Sequence, residues 1–231
     1  MEPITVLLAD DHQIVREGFR SLLKLDAMIV IVGEAHDGRE AVALAQKLRP
    51  AVVVMDIAMP LLNGLGATQQ ILAALPQTKI IVLSAHSDDA YIGRALAVGV
   101  SGYLIKQTSA QILARAIREV HAGNGFFSPS IAKRVEGQNS AGKAGTEKKF
   151  VATLTARELE VIQLIAEGQG NKQVAADLDI SIKTVEKHRQ HVMDKLKIHD
   201  TASLTRYAIA HGLVESSVQN TTGQGGSGNK D

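Results

Sequence analysis

The 231-residue chain contains no cysteine. A disulfide framework, a thiolate metal site and a cysteine nucleophile are therefore all excluded, and a reducing compartment fits. No apolar run approaches the ~20 residues that a membrane-spanning helix needs. The opening Met1-Glu2-Pro3 runs straight into Ile4-Thr5-Val6-Leu7-Leu8, without the basic region and cleavage site of an export signal. These absences predict a cytoplasmic protein with no membrane partner. Internal repeats are missing too. The one compositionally biased stretch is 216–231, whose Gly, Ser, Asn and Thr content cannot bury a core and is expected to be disordered.

Net charge is also nearly absent, at +1, but it is unevenly spread. Residues 1–127 carry 11 Lys/Arg against 12 Asp/Glu, 128–150 carry 5 against 2, and 151–215 carry 8 against 9. The basic excess sits in the middle segment, and the length accommodates two domains joined by it.

What is present begins at Val52-Val53-Val54-Met55-Asp56. Four apolar residues in a row without helical periodicity read as a strand covered on both faces, with Asp56 at its carboxyl end. Further apolar runs at 4–9, 29–33, 79–83 and 101–105 alternate with helical stretches, which predicts five strands and five helices in a βα repeat: a parallel sheet with helices on both faces. Helical periodicity is clear in Ile14, Val15, Phe19, Leu22 and Leu23, and in Ile112, Leu113, Ala116, Ile117 and Val120, the latter helix capped by Thr108 or Ser109. In the flavodoxin-like order 2-1-3-4-5, the first and third strands are neighbours, so Asp10, Asp11 and Asp56 converge at one sheet end. Three clustered carboxylates raise one another's pKa, whereas a hard ion such as Mg²⁺ takes oxygen ligands and keeps several waters. The fourth strand ends at Ser84 and the fifth at Lys106, a hydroxyl and a point charge suited to a phosphoryl oxygen. Singly, each has an ordinary reading as a helix cap, a loop hydroxyl or a surface lysine. Their coincidence at adjacent strand ends favours one site.

Asp10-Asp11, Met55-Asp56-Ile57-Ala58-Met59-Pro60, Asn63-Gly64, Leu83-Ser84-Ala85 and Gly102-Tyr103-Leu104-Ile105-Lys106 closely resemble the receiver domain of bacterial two-component response regulators. The resemblance implies that Asp56 accepts a phosphoryl group from a sensor histidine kinase. It also implies that Mg²⁺, or alternatively Mn²⁺, is held by Asp11, Asp56 and the main-chain carbonyl of Ala58, with Asp10 assisting. Lys106 and Ser84 then serve the transfer, and Ser84 with Tyr103 forms the conformational switch. No turnover enzyme is implied beyond the domain's own Mg²⁺-dependent phosphoryl transfer and slow autodephosphorylation.

Periodicity dissolves over 128–150, a flexible linker by its Gly, Ser and Asn content, with one helical turn expected near 131–135. At Leu154-Thr155-Ala156-Arg157-Glu158-Leu159 a capping box (Thr155, Glu158) and a hydrophobic staple (Leu154, Leu159) open a helix. Shorter helices follow near 171–178, up to about 197, and over 201–211. This small all-α domain, 151–215, has four helices at helix-turn-helix spacing. Along its third helix Val185, Val192, Met193 and Leu196 form an apolar stripe opposite Lys183, Glu186, Lys187, Gln190, Asp194 and Lys197. A charged face on a single helix commonly means solvent, but the second helix of such a pair is the one that enters a major groove.

The run Leu154-Thr155, Arg157-Glu158, Ala166-Glu167-Gly168, Asn171-Lys172, Val174-Ala175, Ile180-Ser181, Lys183-Thr184-Val185, His188 and Lys195-Leu196 is similar to the LuxR-type DNA-binding domain, making the whole chain resemble a NarL/FixJ-type response regulator. By that likeness Glu186, Lys187 and Gln190 face base edges, and Lys172, Lys183, Thr184, His188, Arg189 and Lys195 address phosphates. Gly170 stands where Ser commonly starts a helix, and acidic Glu186 is unusual on a reading face. His188 and His191 gain no third ligand for a metal. The implied function is a transcription regulator whose phosphorylation promotes homodimerisation, through 202–209 among other surfaces, on an inverted repeat in double-stranded DNA. Two rivals differ in class: a phosphatase-like enzyme, disfavoured by Ala58 where a general acid would stand, and a regulator controlled by protein contacts without phosphorylation.

Overall fold

The structure is a computed structural model that describes residues 2–85, 89–106, 110–128, 131–132 and 154–214. The receiver unit runs β1 (Ile4–Ala9), α1 (Gln13–Leu23), β2 (Ile29–Ala35), α2 (Gly38–Leu48), β3 (Val52–Asp56), α3 (Gly64–Ala74), β4 (Lys79–Ser84), α4 (Asp89–Val98), β5 (Gly102–Ile105), α5 (Ala110–His121) and β6 (Phe126–Phe127). The sheet is parallel, in the order β2-β1-β3-β4-β5-β6. The expected five strands and their order are present. The sixth is a two-residue addition beside β5, too short to leave a pattern in sequence.

The continuous apolar runs are buried because both sheet faces are covered. On one face Val53, Met55, Ile80 and Val82 pack with Ala41, Ala45, Ala67, Ile71, Ile92 and Ala95 from α2, α3 and α4. On the other, Val6, Leu8, Val52, Val54, Ile81 and Leu83 pack with Leu23, Leu113, Ala116, Ile117 and Val120 from α1 and α5. The periodic stripe of α1 is only partly inside: Leu23 is buried, but Ile14 and Leu22 are 85% and 50% exposed. The cap expected from Thr108 or Ser109 lies outside the described residues. So do most of the expected linker, including 133–135 of its expected helical turn, and the tail from 215 onward.

The helical unit comprises α6 (Ala156–Ala166), α7 (Asn171–Leu178), α8 (Ile182–Leu196) and α9 (Thr201–Ala210). Thr155 and Glu158 close the expected capping box, while Gly170 starts α7 without a side-chain cap. Val161, Ile162, Leu164, Ile165, Val174, Leu178, Val185, Val192, Leu204 and Ala208 form its core. Leu204 and Ala208 turn inward, leaving Thr201, Ala202, Arg206 and Ala210 exposed on α9. Among the described residues no helix is long and apolar enough to cross a membrane.

The two units touch. Leu61, from the loop between β3 and α3, packs against the helical core. Gly212, at φ +54°, brings the chain after α9 so close to α4 that a Cβ there would lie 2.1 Å from the Tyr91 ring. Gly64 makes a similar approach inside the receiver, where a Cβ would fall 1.8 Å from the Asp56 main-chain oxygen. That oxygen belongs to backbone and cannot swing aside, so Gly64→Ala is expected to lower stability by more than about 2 kcal/mol. Gly18→Ala, on a helix with nothing within 4 Å of the added carbon, is expected to be neutral or to stabilise by up to about 1 kcal/mol. Urea denaturation of both variants against wild type checks the contrast.

Candidate functional site

Because β1 and β3 are parallel neighbours in register, the residues that end them meet. Asp10 and Asp56 are 4% and 1% exposed, and Asp11 is exposed at the rim. Carboxylate oxygens of Asp10, Asp11 and Asp56 and a ring nitrogen of His12 all lie within 4.8 Å of one another. From the end of β5, Lys106 places its Nζ 2.6 Å from Asp56 Oδ2 and 3.1 Å from Asp10 Oδ2. Its main-chain N–H donates to the Ser84 carbonyl at 2.8 Å, which locks the strand ends together. Ser84 is buried at the end of β4 beside this cluster, and Tyr103, one strand further, is fully buried in the receiver core. The Ala58 N–H points back at Asp56 Oδ1, 3.3 Å away.

The charges do not balance within this cluster. Burial pushes the Asp56 carboxyl up to about 7, against the pull of Lys106, and Asp10 adds to the push. Burial pulls the Lys106 ammonium down, but Asp56 and Asp10 outweigh it and hold it above the ordinary lysine value. Two buried carboxylates thus share one ammonium, and Asp10 Oδ2, shielded from water, has only that ammonium at 3.1 Å beside it. Three carboxylates with unmet negative charge, joined at the rim by the His12 ring nitrogen, suit a hard divalent cation such as Mg²⁺.

Two participants escaped the sequence reading. His12 Nδ1 lies 2.7 Å from Asp11 Oδ1 and 3.3 Å from Asp10 Oδ1; its adjacency to the acid pair was the available signal. Arg16 donates through Nη1 to the Asp10 main-chain carbonyl at 2.5 Å, one helical turn into α1.

In the helical unit Ser181 caps α8, and Val185 and Val192 anchor it in the core. Lys183, Glu186, Lys187 and Gln190 are exposed, as is Lys172 on α7, while Thr184, His188 and Arg189 are half-buried. Gln190 donates to Asp194 at 2.8 Å and Arg189 to Thr201 at 2.5 Å. Lys195 stands apart from the others. Its Nζ donates to both carboxylate oxygens of Glu158, at 2.7 and 2.8 Å, so its charge is engaged within the domain. Burial acts upward on Glu158, but the hydrogen bonds from Lys195 and Thr155 prevail and hold that carboxyl below its usual value.

Residues 6–118 match the response regulator receiver domain, and residues 152–208 match the bacterial regulatory proteins of the luxR family. Response regulator protein VraR of Staphylococcus aureus is 37% identical over 212 residues, spanning 92% of this chain and 99% of its own. Among solved structures, the RcsB response regulator of Salmonella typhimurium aligns with a TM-score of 0.60 at 27% identity, over 91% of this chain and 99% of that one. RcsB from Salmonella enterica serovar Typhimurium bound to promoter rprA with the phosphomimetic BeF3⁻ aligns at 0.57 and 28% identity, over 89% and 98%.

The titration of Asp56 carries a consequence for stability. In the folded metal-free protein the carboxyl keeps its proton to about pH 7, whereas an ordinary carboxyl releases it near 3.8. Between those values the unfolded wild type binds fewer protons, so the wild type loses stability as pH rises and levels off above 7. Asp56→Asn removes that proton from both states. In EDTA it is expected to be more stable than wild type at pH 8, by on the order of 4 kcal/mol, and to lose most of that advantage near pH 4. Urea titrations at the two pH values check this; an advantage independent of pH would contradict it.

Proposed function

The chain belongs to the response regulator family, joining a receiver domain to a LuxR-type DNA-binding domain, and on that premise we propose that it is a transcription regulator switched by phosphorylation of Asp56. The observation that carries this reading is the buried Asp56 carboxylate at the end of β3, with Lys106 2.6 Å away and an exposed charged helix presented by the second domain. Family members of this architecture are regulators, not turnover enzymes.

A sensor histidine kinase is the donor. One Asp56 carboxylate oxygen attacks phosphorus, the bond to the kinase histidine breaks, and the phosphoryl remains on Asp56 as an acyl phosphate. Lys106 Nζ, fixed between Asp56 and Asp10, stabilises the charge on the transferring oxygens. Asp11, Asp56 and the main-chain carbonyl of Ala58 would hold Mg²⁺, with Asp10 assisting through water, and the ion would supply further charge neutralisation at the phosphoryl. Burial works in favour of transfer by keeping bulk water from the strand ends. The Ser84 hydroxyl then bonds a phosphoryl oxygen, and the space around it and Tyr103 repacks. The full burial of Tyr103 supports a readout inside the core rather than at an exposed ring. Such a switch is a two-state element biased by a new charge with new acceptor oxygens.

Activation leads to homodimerisation on an inverted repeat. Glu186, Lys187 and Gln190 read base edges, since Lys and Gln reach purines and Glu accepts from cytosine. Lys172, Lys183, Thr184, His188 and Arg189 address phosphates, and Lys195 holds α8 against Glu158. The phosphate contacts make binding steeply dependent on salt.

Light-scattering mass and DNA affinity, measured with and without a small phosphodonor plus Mg²⁺, test the switch. Wild type is expected to dimerise and gain affinity by at least about tenfold, and Asp56→Asn to do neither. Equal binding by both proteins regardless of donor would leave a DNA-binding protein without this switch. For the reading face, Lys187→Ala is expected to relax discrimination at one base position by about 1–3 kcal/mol, whereas Lys183→Ala should weaken all sequences alike and lower the salt slope by about 1. Titrations over a panel of single-base operator variants separate the two behaviours.

A further inference from the structure

The loop from Ile57 to Asn63 carries the main-chain carbonyl at Ala58, and it is gripped from outside the receiver. Leu62 donates its N–H to the Pro60 carbonyl at 2.7 Å across Leu61, which sits at φ +65°. This is a γ-turn centred on a leucine in the left-handed region, a conformation that persists only where surrounding structure enforces it. The enforcement comes from the helical domain. Leu61 is packed against that domain's apolar core. On either side of the turn stands Gln163 of α6, itself 1% exposed. Its Oε1 accepts from the Asn63 N–H at 2.8 Å, and its Nε2 donates to the Met59 carbonyl at 2.9 Å. Around this clamp Gln70 donates to Glu160 at 3.1 Å, Asn63 Nδ2 reaches the Leu213 carbonyl at 3.4 Å, and Arg39 bonds the Asp177 carbonyl.

We propose that Gln163 is a positioning residue for the phosphoacceptor loop: by clamping both ends of the turn at Leu61, the docked DNA-binding domain holds the loop away from the arrangement that Asp56 adopts with metal and phosphoryl. Docking and phosphorylation are then opposed, and the opposition is reciprocal, because whatever factor docking takes from ligand affinity at Asp56 the ligand takes from docking. Gln163 suits the role because one side chain meets a donor and an acceptor of the same loop. A carboxylate could satisfy Asn63 but would face the Met59 carbonyl oxygen with another oxygen. The same loop continues into Asn63, whose Oδ1 accepts from Gly66 at 2.9 Å and caps α3, so a shift of the turn moves the start of that helix.

This inference rests on the reading of Asp56 as the phosphoacceptor, and the test separates the two. The full chain is titrated with beryllofluoride in saturating Mg²⁺, and amide hydrogen exchange is followed at Asn63, for wild type, Gln163→Met and the isosteric Gln163→Glu. Thermal melting identifies any variant that fails to fold, in which case the other decides. The expected result is that beryllofluoride speeds Asn63 exchange in wild type, and that each folded variant exchanges Asn63 faster without ligand and reaches half-saturation at about fivefold lower beryllofluoride. If wild type ignores beryllofluoride, the reading of Asp56 fails. If wild type binds it while the variants show unchanged or raised half-saturation, Asp56 stands and the clamp is overturned.

Discussion

Two buried carboxylates sharing one ammonium is the arrangement on which the receiver turns. Asp56 and Asp10 are held at adjacent strand ends by the sheet itself, and Lys106 reaches both. The sheet cannot relax this crowding without breaking the register that buries its apolar residues, so the excess negative charge is imposed by the fold. A divalent cation would find its complement already assembled, with little reorganisation needed at the moment of binding. The elevated Asp56 carboxyl expresses the same tension in the absence of a ligand.

That tension has a short route outward. Asp56 is followed directly by the loop that bears Ala58, the γ-turn at Leu61 and the Asn63 cap of α3. The helical domain rests on this loop through Leu61 and Gln163 and on the neighbouring α4 through Gly212. Its recognition helix α8 meanwhile keeps Lys183, Glu186, Lys187 and Gln190 exposed. The interface therefore uses α6, the end of α7 and the segment after α9, leaving the charged face of α8 uncovered. Regulation through this contact would act on where the domain sits and how it pairs, more than by masking the exposed charged residues of α8.

Much of the receiver site was legible because strands in a parallel sheet are continuous apolar runs, and the residue after each run falls at the same edge. Asp10, Asp56, Ser84 and Lys106 needed only that rule and a strand order. The capping box at Thr155 and Glu158 was equally local, a spacing of three residues with a known hydrogen-bond pattern. Glu158 had a second role that was not legible: its carboxylate also holds Lys195, 37 residues away. Periodicity placed Ile14 and Leu22 on one stripe with Leu23, but periodicity names a face and not what covers it, and those two residues of the stripe are in solvent.

The sequence by itself determined the two domains, the alternation of strands and helices, the acids and lysine gathered at the strand ends, and the helix that carries the exposed charged face, since each depends on local periodicity or on residues at strand ends. Only the tertiary structure decided that Gln163, a lone polar residue within an apolar helical stretch, is buried against Met59 and Asn63, that Leu61 adopts a positive φ, and that β6 extends the sheet. Those features arise from contacts between residues as much as 104 positions apart, where the partner and not the neighbouring sequence fixes the conformation.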